Sequence, residues 1–198
     1  MNRLEPMKCI PTTLSNEIVI LEPIALKHTA DIVNAIDADV FKYMPMRSSV
    51  ITTNQVRRYI EFQIKRPNTV TFAIIDNATN KAIGSSSYLN IMPDHYGLEI
   101  GSTWITKSAR GTKINPSMKL LMLGHAIEQL GAIRVVLSTD SRNEHSKAAI
   151  SKLGATFEGT LRNHIIMPDG YYRDSAVYSI IPSQWESIRA GLHSRINA

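Results

Sequence analysis

Residues 99–115 read Glu-Ile-Gly-Ser-Thr-Trp-Ile-Thr-Lys-Ser-Ala-Arg-Gly-Thr-Lys-Ile-Asn, and Pro116 follows. A largely apolar strand runs into a short basic turn around Gly111, and the turn opens a helix. The first turn of a helix has four backbone N–H groups without internal partners and a partial positive charge, so phosphates settle there. Asn115 suits the N-cap and Pro116 the first helical position. Arg110 and Lys113 place two cations beside the same spot. The chemistry this stretch can do is to hold an anionic group. Farther along, Asn143 stands where it can cap a second helix over 144–153, with Ser146 three residues on. Asp140 and Glu144 near that helix read as cap and surface charges, and His125 as a half-buried surface residue of the longer helix.

The elements that position these residues follow from periodicity and punctuation. Residues 18–21 form a short apolar run stopped by Pro23, a strand, and Leu26, Ile32, Val33 and Ile36 recur at helical spacing. Residues 41–49 form a loop rich in Tyr, Met and Pro. Thr52 and Gln55 fit a capping box for a helix whose apolar face is Val56, Tyr59, Ile60 and Ile64. Strands over 71–75 and 82–87 flank a turn-rich linker and read as a hairpin. The next strand is 98–105, where Gly101 marks a bulge or a close backbone approach. The helix over 116–130 carries Leu120, Leu123, Ile127 and Leu130 on one stripe and ends at Gly131. Residues 133–137 read as a buried strand, and 156–167 and 176–181 as two further strands joined through Pro168-Asp169-Gly170. Trp104 reads as core. The order βααβββαβαββ implies a mixed sheet with helices on its faces.

Composition narrows the function classes. The chain has 198 residues, 43% of them hydrophobic, enough for one compact domain with a full core. The predicted division is an N-terminal extension over 1–16, a single domain over 17–182 and a C-terminal helix or tail over 183–198. No apolar run approaches the roughly 20 residues of a membrane span, and the N-terminus lacks the apolar stretch of a signal peptide. Cys9 is the one cysteine, so no intrachain disulfide forms, and a reducing cytoplasmic location is expected. The six His residues show no ligand-like spacing, so no metal is expected. The net charge of +5 favours anionic partners or is a solvated basic surface. Lys and Arg are scattered without aromatic interleaving, which argues against direct nucleic-acid readout.

The ordered set of motifs resembles the GNAT superfamily of acyl-CoA-dependent N-acetyltransferases, and within it the branch of ribosomal-protein N-terminal acetyltransferases. The likeness runs from about Ile18 to Ile181. Its carriers are Leu21-Glu22-Pro23, Phe41-Lys42-Tyr43-Met44-Pro45, Leu98-Glu99-Ile100-Gly101, Trp104, Ala109-Arg110-Gly111-Thr112, Asn143-Glu144-His145-Ser146, 153–159 with Arg162, and Asp169-Gly170 with Arg173-Asp174. The resemblance implies a central twisted, mostly antiparallel sheet with one splayed parallel pair, and acetyl-CoA as co-substrate. It implies cofactor contacts along Arg110, Gly111, Thr112, Lys113, Ile114 and Asn115. The family's phosphate loop carries two further glycines where Lys113 and Asn115 stand here.

The reaction so implied is attack of an amine on a thioester. A free N-terminal amine, pKa about 7.7–8, loses its proton at pH 7 for about 1 kcal/mol, whereas lysine at about 10.4 costs about 4.6 kcal/mol. Many relatives protonate the departing thiolate with a tyrosine, and Ile150 stands at that position. The resemblance instead implies that Ser146 meets the thiol and Asn143 the pantetheine arm. A second reading keeps Asn143 as a plain N-cap and Ser146 as a packing residue. Glu99, on the central strand, is the candidate base, with a structural carboxylate as the competing reading. Ile105 is implied as the backbone N–H that meets the thioester carbonyl. Tyr43, Met44 and Met46 are implied to wall the acceptor groove. His164 lies beside Ile165, where some relatives carry a glutamate, and one step along a strand turns a side chain to the other face. The expected acceptor is a protein N-terminal α-amine. A small amine, such as a polyamine or an aminoglycoside, and a catalytically silent acyl-CoA-binding module stand as alternatives, and a homodimer is left open.

Overall fold

The computed structural model describes residues 5–37, 40, 42–44 and 52–198. Eight strands form one sheet: β1 (Leu14–Ser15), β2 (Val19–Pro23), β3 (Val70–Asp76), β4 (Lys81–Met92), β5 (Gly97–Ile105), β6 (Arg134–Asp140), β7 (Thr156–Ile166) and β8 (Tyr172–Ile180). Their order is β1-β2-β3-β4-β5-β6-β8-β7. Neighbours pair antiparallel except β5 and β6, which run parallel. The helices are α1 (Thr29–Ala35), α2 (Thr53–Lys65), α3 (Ile114–Gly124), α4 (Glu144–Leu153) and α5 (Pro182–Asn197). The mixed, mostly antiparallel sheet with one parallel pair is the architecture the sequence predicts. Among the described residues no helix is long and apolar enough to cross a membrane.

Strand alternation divides the sheet into two faces. On one, Leu21, Phe72, Tyr88, Leu98, Val135 and Tyr178 pack with Met118 and Met122 of α3 and with Trp185, Ile188 and Leu192 of α5. On the other, Ala73, Ala82 and Trp104 meet Ile32 of α1 and Val56 and Ile60 of α2. Trp104 is therefore core, as expected. Burying each such large side chain contributes about 1.5–3 kcal/mol.

Several expectations change on folding. Residues expected as an N-terminal extension carry β1, with Leu14 opposite Leu21, and bury Met7 and Leu14 in the main core. Two-residue pairing is too short to leave a periodic signal. The expected C-terminal helix or tail is the full-length α5, anchored by Trp185, Ile188 and Leu192. Ile64 is exposed, while Gln63 is buried in its stead. The inward stripe of α2 runs through 56, 60 and 63, and Ile64 is turned off it. His125 is buried rather than a surface residue. Its ring stacks on Tyr88, and the Tyr88 hydroxyl lies 3.2 Å from His125 Nδ1 and donates to the Met122 carbonyl at 2.7 Å. Burial lowers the His125 pKa. At His125 the helix passes into a π-helical turn, His125–Gln129, that ends with Leu130 N–H on the His125 carbonyl.

Candidate functional site

The parallel pair creates the opening. β5 and β6 pair only from Gly97 opposite Arg134 to Glu99 opposite Val136. Beyond Glu99, β5 continues to Ile105 beside β4, and β6 continues to Asp140 beside β8. The two strands diverge there, and the facing edge of β5 has no ladder partner among the described residues. Within this stretch β5 carries a bulge: Gly101 and Trp104 span three steps opposite the two from Ser87 to Ser85. Ser102 sits at φ 48°, in the left-handed region, and the Ser86 and Thr103 hydroxyls bond at 2.7 Å across the bulge. The bulge that Gly101 signals thus falls on the next residue. Ile105 closes β5 at the wide end of the splay.

The turn after Ile105 leads to α3. Gly111 takes φ 77°, and a Cβ there would meet none of the described residues within 4 Å, so conformation and not space calls for glycine. The helix starts earlier than the sequence implies: Lys113 is the N-cap, Ile114 the first helical residue, and Asn115 and Pro116 lie inside the first turn. The Thr112 hydroxyl moves the cap upstream, accepting from the Ile114 N–H at 3.3 Å and donating to the Ala109 carbonyl at 2.7 Å. Ser117 N–H joins the helix ladder on the Lys113 carbonyl, and Pro116 has no N–H to give. An anion would therefore meet the Asn115 N–H and the amides of Gly111, Thr112 and Lys113, with the exposed Lys113 ammonium beside them. Those groups fit a pyrophosphate. The Arg110 side chain points elsewhere: its Nε donates to the Ile105 carbonyl at 3.2 Å and its Nη2 to Asp37 Oδ2 at 3.0 Å.

A polar cluster occupies the sheet face opposite the main core. Alternation puts Glu99 of β5, Ser138 and Asp140 of β6, and Arg173 and Ser175 of β8 on that face. Glu99 accepts from the Ser138 hydroxyl at 2.5 Å through Oε1 and from Asn90 Nδ2 at 2.8 Å through Oε2. A Cβ on Gly101 would stand 3.3 Å from Glu99 Oε1, so that glycine leaves room beside the carboxylate. Asp140, expected at the surface, is buried. Burial raises its pKa, but bonds from Arg142 outweigh this and the carboxyl ends below its ordinary value. Arg142 donates to it through Nε at 3.0 Å, Nη2 at 2.8 Å and the backbone N–H at 2.9 Å, and lies 3.6 Å over the Tyr171 ring. Arg173 is buried, its pKa lowered chiefly by burial, with Nε unpartnered among the described residues and Nη1 donating to the Tyr43 carbonyl at 3.5 Å.

The turn from β6 into α4 hangs on Asp140: Asn143 N–H donates to its carbonyl at 2.8 Å. Asn143 Oδ1 in turn accepts the Ser146 N–H at 3.1 Å, so Asn143 is the N-cap of α4. Glu144 is exposed, as expected. His164 reaches the polar face despite strict alternation. β7 has two extra residues between Leu161 and Ile165, opposite Ser175 and Arg173, and Asn163 takes φ 49°. The pleat is broken within the bulge, where His164 Nδ1 lies 3.0 Å from the Ser175 hydroxyl. Tyr43 and Met44 lie in the connection between α1 and α2, Tyr43 tied to β8 through Arg173, while Met46 lies outside the described residues.

Sequence reasoning missed Asn90, Ser138, Arg142 and Asp37, whose roles depend on neighbours 9 to 73 residues away or on burial. Arg173 entered only as part of a motif.

Residues 19–156 match the family described as Acetyltransferase (GNAT) domain. A solved structure from T. thermophilus, assigned as an acetyltransferase, is 34% identical, with 96% of this chain and 100% of that one covered and a TM-score of 0.88. Mycobacterium smegmatis RimJ in complex with CoA-disulfide is 18% identical over 96% of this chain and 97% of that one, with a TM-score of 0.80. The ribosomal-protein-S5-alanine acetyltransferase from Vibrio fischeri is 19% identical over 88% and 98%, with a TM-score of 0.71. These last two show likeness of fold. No curated protein sequence matches the chain. By the family match over most of its length and the splayed sheet it adopts, the chain belongs to the GNAT acetyltransferases.

Proposed function

We propose that this acyltransferase moves an acetyl group from acetyl-CoA to a primary amine, and that the amine is a protein N-terminal α-amine. The observation that carries the choice of acceptor is the setting of Glu99. Both its oxygens accept hydrogen bonds from neutral donors, Ser138 and Asn90. A carboxylate held in this way is the candidate base, and an amine that loses its proton for about 1 kcal/mol needs less of it than lysine, which costs about 4.6 kcal/mol. The acceptor face also balances Glu99 and Asp140 against Arg142 and Arg173, which gives a polyamine no net acidic groove. The RimJ and S5-alanine acetyltransferase folds are compatible with the same acceptor class.

Acetyl-CoA supplies an activated carbonyl and a thiolate leaving group. The amides of Gly111, Thr112, Lys113 and Asn115 and the Lys113 ammonium hold its pyrophosphate. Asn143 keeps Oδ1 on its own helix and offers Nδ2 to the pantetheine arm. The splayed edge of β5 toward Ile105 offers a backbone N–H to the carbonyl oxygen, a contact that can supply several kcal/mol. Tyr43, Met44 and His164 border the acceptor. A nitrogen–carbon bond forms and the carbon–sulfur bond breaks. Glu99, through water, accepts the proton from nitrogen, and the Ser146 hydroxyl donates a hydrogen bond to the departing sulfur at the positive end of α4.

The test is thiol release from acetyl-CoA across peptides with free N-termini, N-terminally blocked peptides with a free lysine, polyamines and aminoglycosides. Release with free N-termini alone is expected. Release with lysine or small amines instead overturns the acceptor assignment.

A further inference from the structure

We propose that the Arg110 guanidinium is a positioning strut for the acceptor side of the site and not a phosphate ligand. The proposal rests on the reading of the Gly111 turn as the acetyl-CoA loop. Arg110 immediately precedes that turn, yet its side chain turns back toward the end of β5. Nε is on the Ile105 carbonyl at 3.2 Å and Nη2 on Asp37 Oδ2 at 3.0 Å. A guanidinium is planar with fixed donor directions, so two such bonds set its plane.

Asp37 is what makes this arrangement costly to undo. It lies two residues beyond α1, at the start of the connection that carries Tyr43 and Met44. Its Oδ1 is buried and has no partner among the described residues. If a pyrophosphate drew Arg110 away, neither carboxylate oxygen would be bonded, and a partly buried charge would be stranded. Lys113 is exposed and forms no ion pair among the described residues, so the loop has another cation for phosphate. The two cations divide the work: Lys113 meets the anion, and Arg110 fixes the α1–α2 connection against β5. Arg173 grips that connection a second time through the Tyr43 carbonyl. The cofactor turn, the end of β5 and the acceptor wall are thereby joined through one side chain.

A phosphate ligand and a strut differ in what reproduces their loss. Arg110→Met, Asp37→Asn and the double variant are compared with wild type by calorimetric titration with CoA, by thermal melting, and by steady-state turnover of a free-N-terminus peptide. For a strut, both single variants leave the CoA Kd within about threefold and raise the peptide KM about fivefold or more, and the double variant is no worse than the poorer single. Arg110→Lys recovers part of the peptide KM. The proposal fails if Arg110→Met weakens CoA about tenfold or more while Asp37→Asn does not. It also fails if the two substitutions add fully in melting temperature. A wild type that binds CoA but ignores the peptide defeats the α-amine acceptor alone, and the titration and melting arms still decide the role of Arg110.

Discussion

Replacing Ser146 by alanine separates a catalytic hydroxyl from a helix-packing residue. Ser146 is the third residue of α4, and the bond that ties it to the helix start is its backbone N–H on Asn143 Oδ1 at 3.1 Å. Alanine keeps that N–H. The core contacts of α4 come from Ile150 and Leu153, which the change does not touch. Alanine is also the better helix former by a few tenths of a kcal/mol, so stability should move by less than about 0.5 kcal/mol. A hydrogen bond to a group developing full negative charge contributes about 1.5–3 kcal/mol. At about 1.4 kcal/mol per decade, its loss lowers kcat about 10- to 100-fold. The assay is single-turnover thiol release with a free-N-terminus peptide at saturating acetyl-CoA, beside a melting curve and a CoA titration. The expected result is slowed transfer with unchanged melting and unchanged CoA affinity, and recovery in Ser146→Thr. Transfer within about twofold of wild type, with melting unchanged, would refute the catalytic assignment and leave Ser146 as a helix residue only.

Three further outcomes follow from named groups. Asn143→Ala should cost about 1 kcal/mol by removing the α4 cap, whereas Asn143→Asp keeps the cap acceptor and the melting temperature but weakens CoA about tenfold, because it loses the Nδ2 donor. Equal CoA affinity in Asn143→Asp would confine Asn143 to capping. Lys119 has its pKa pushed down to about 8 by burial, from an ordinary 10.5. The folded state therefore disfavours its charge, a cost present in full below pH 8 and relieved between 8 and 10.5. Lys119→Met should stabilise the protein at pH 7 by up to about 3 kcal/mol, with the gain closing by pH 10.5 in chemical denaturation. Glu158, bonded by Arg134 and by the Ser179 hydroxyl, has its pKa drawn down to about 2 from 4.5. Its stabilisation is present above pH 4.5 and lost as pH falls toward 2. The pair is more than a third exposed, so Glu158→Gln should remove only about 1 kcal/mol of that acid-limb slope. An unchanged slope would show that the pair contributes nothing.

Local chemistry decided what the sequence could say. Thr52 and Gln55 cap α2 as a reciprocal pair because both partners lie within one turn. Gly154 ends α4 at φ 99°, as glycine allows. The hairpins, the basic turn at Gly111 and the cap at Asn143 were legible for the same reason: each is an agreement between residues three or four apart. The ordered motifs were enough to indicate the fold and the family.

What escaped depended on residues far apart in the chain. The start of α3 moved because the Thr112 hydroxyl competes for the Ile114 N–H, which propensity at Asn115 and Pro116 does not reveal. Asp140 reads as a surface charge in sequence because its burial comes from β8 packed alongside β6. His164 crossed to the polar face because a two-residue bulge broke the alternation that a strand pattern assumes. Arg110 reads as a phosphate ligand in sequence, and only the tertiary fold brings Asp37, 73 residues away, to its guanidinium. The sequence alone determined most of the elements, their order from β2 on and the basic turn before α3, since these are set by short-range hydrogen bonding and by periodicity. The partners of Glu99 and Arg110 and the burial of Asp140 were decided by the tertiary fold, because they depend on segments that meet only once the chain has folded.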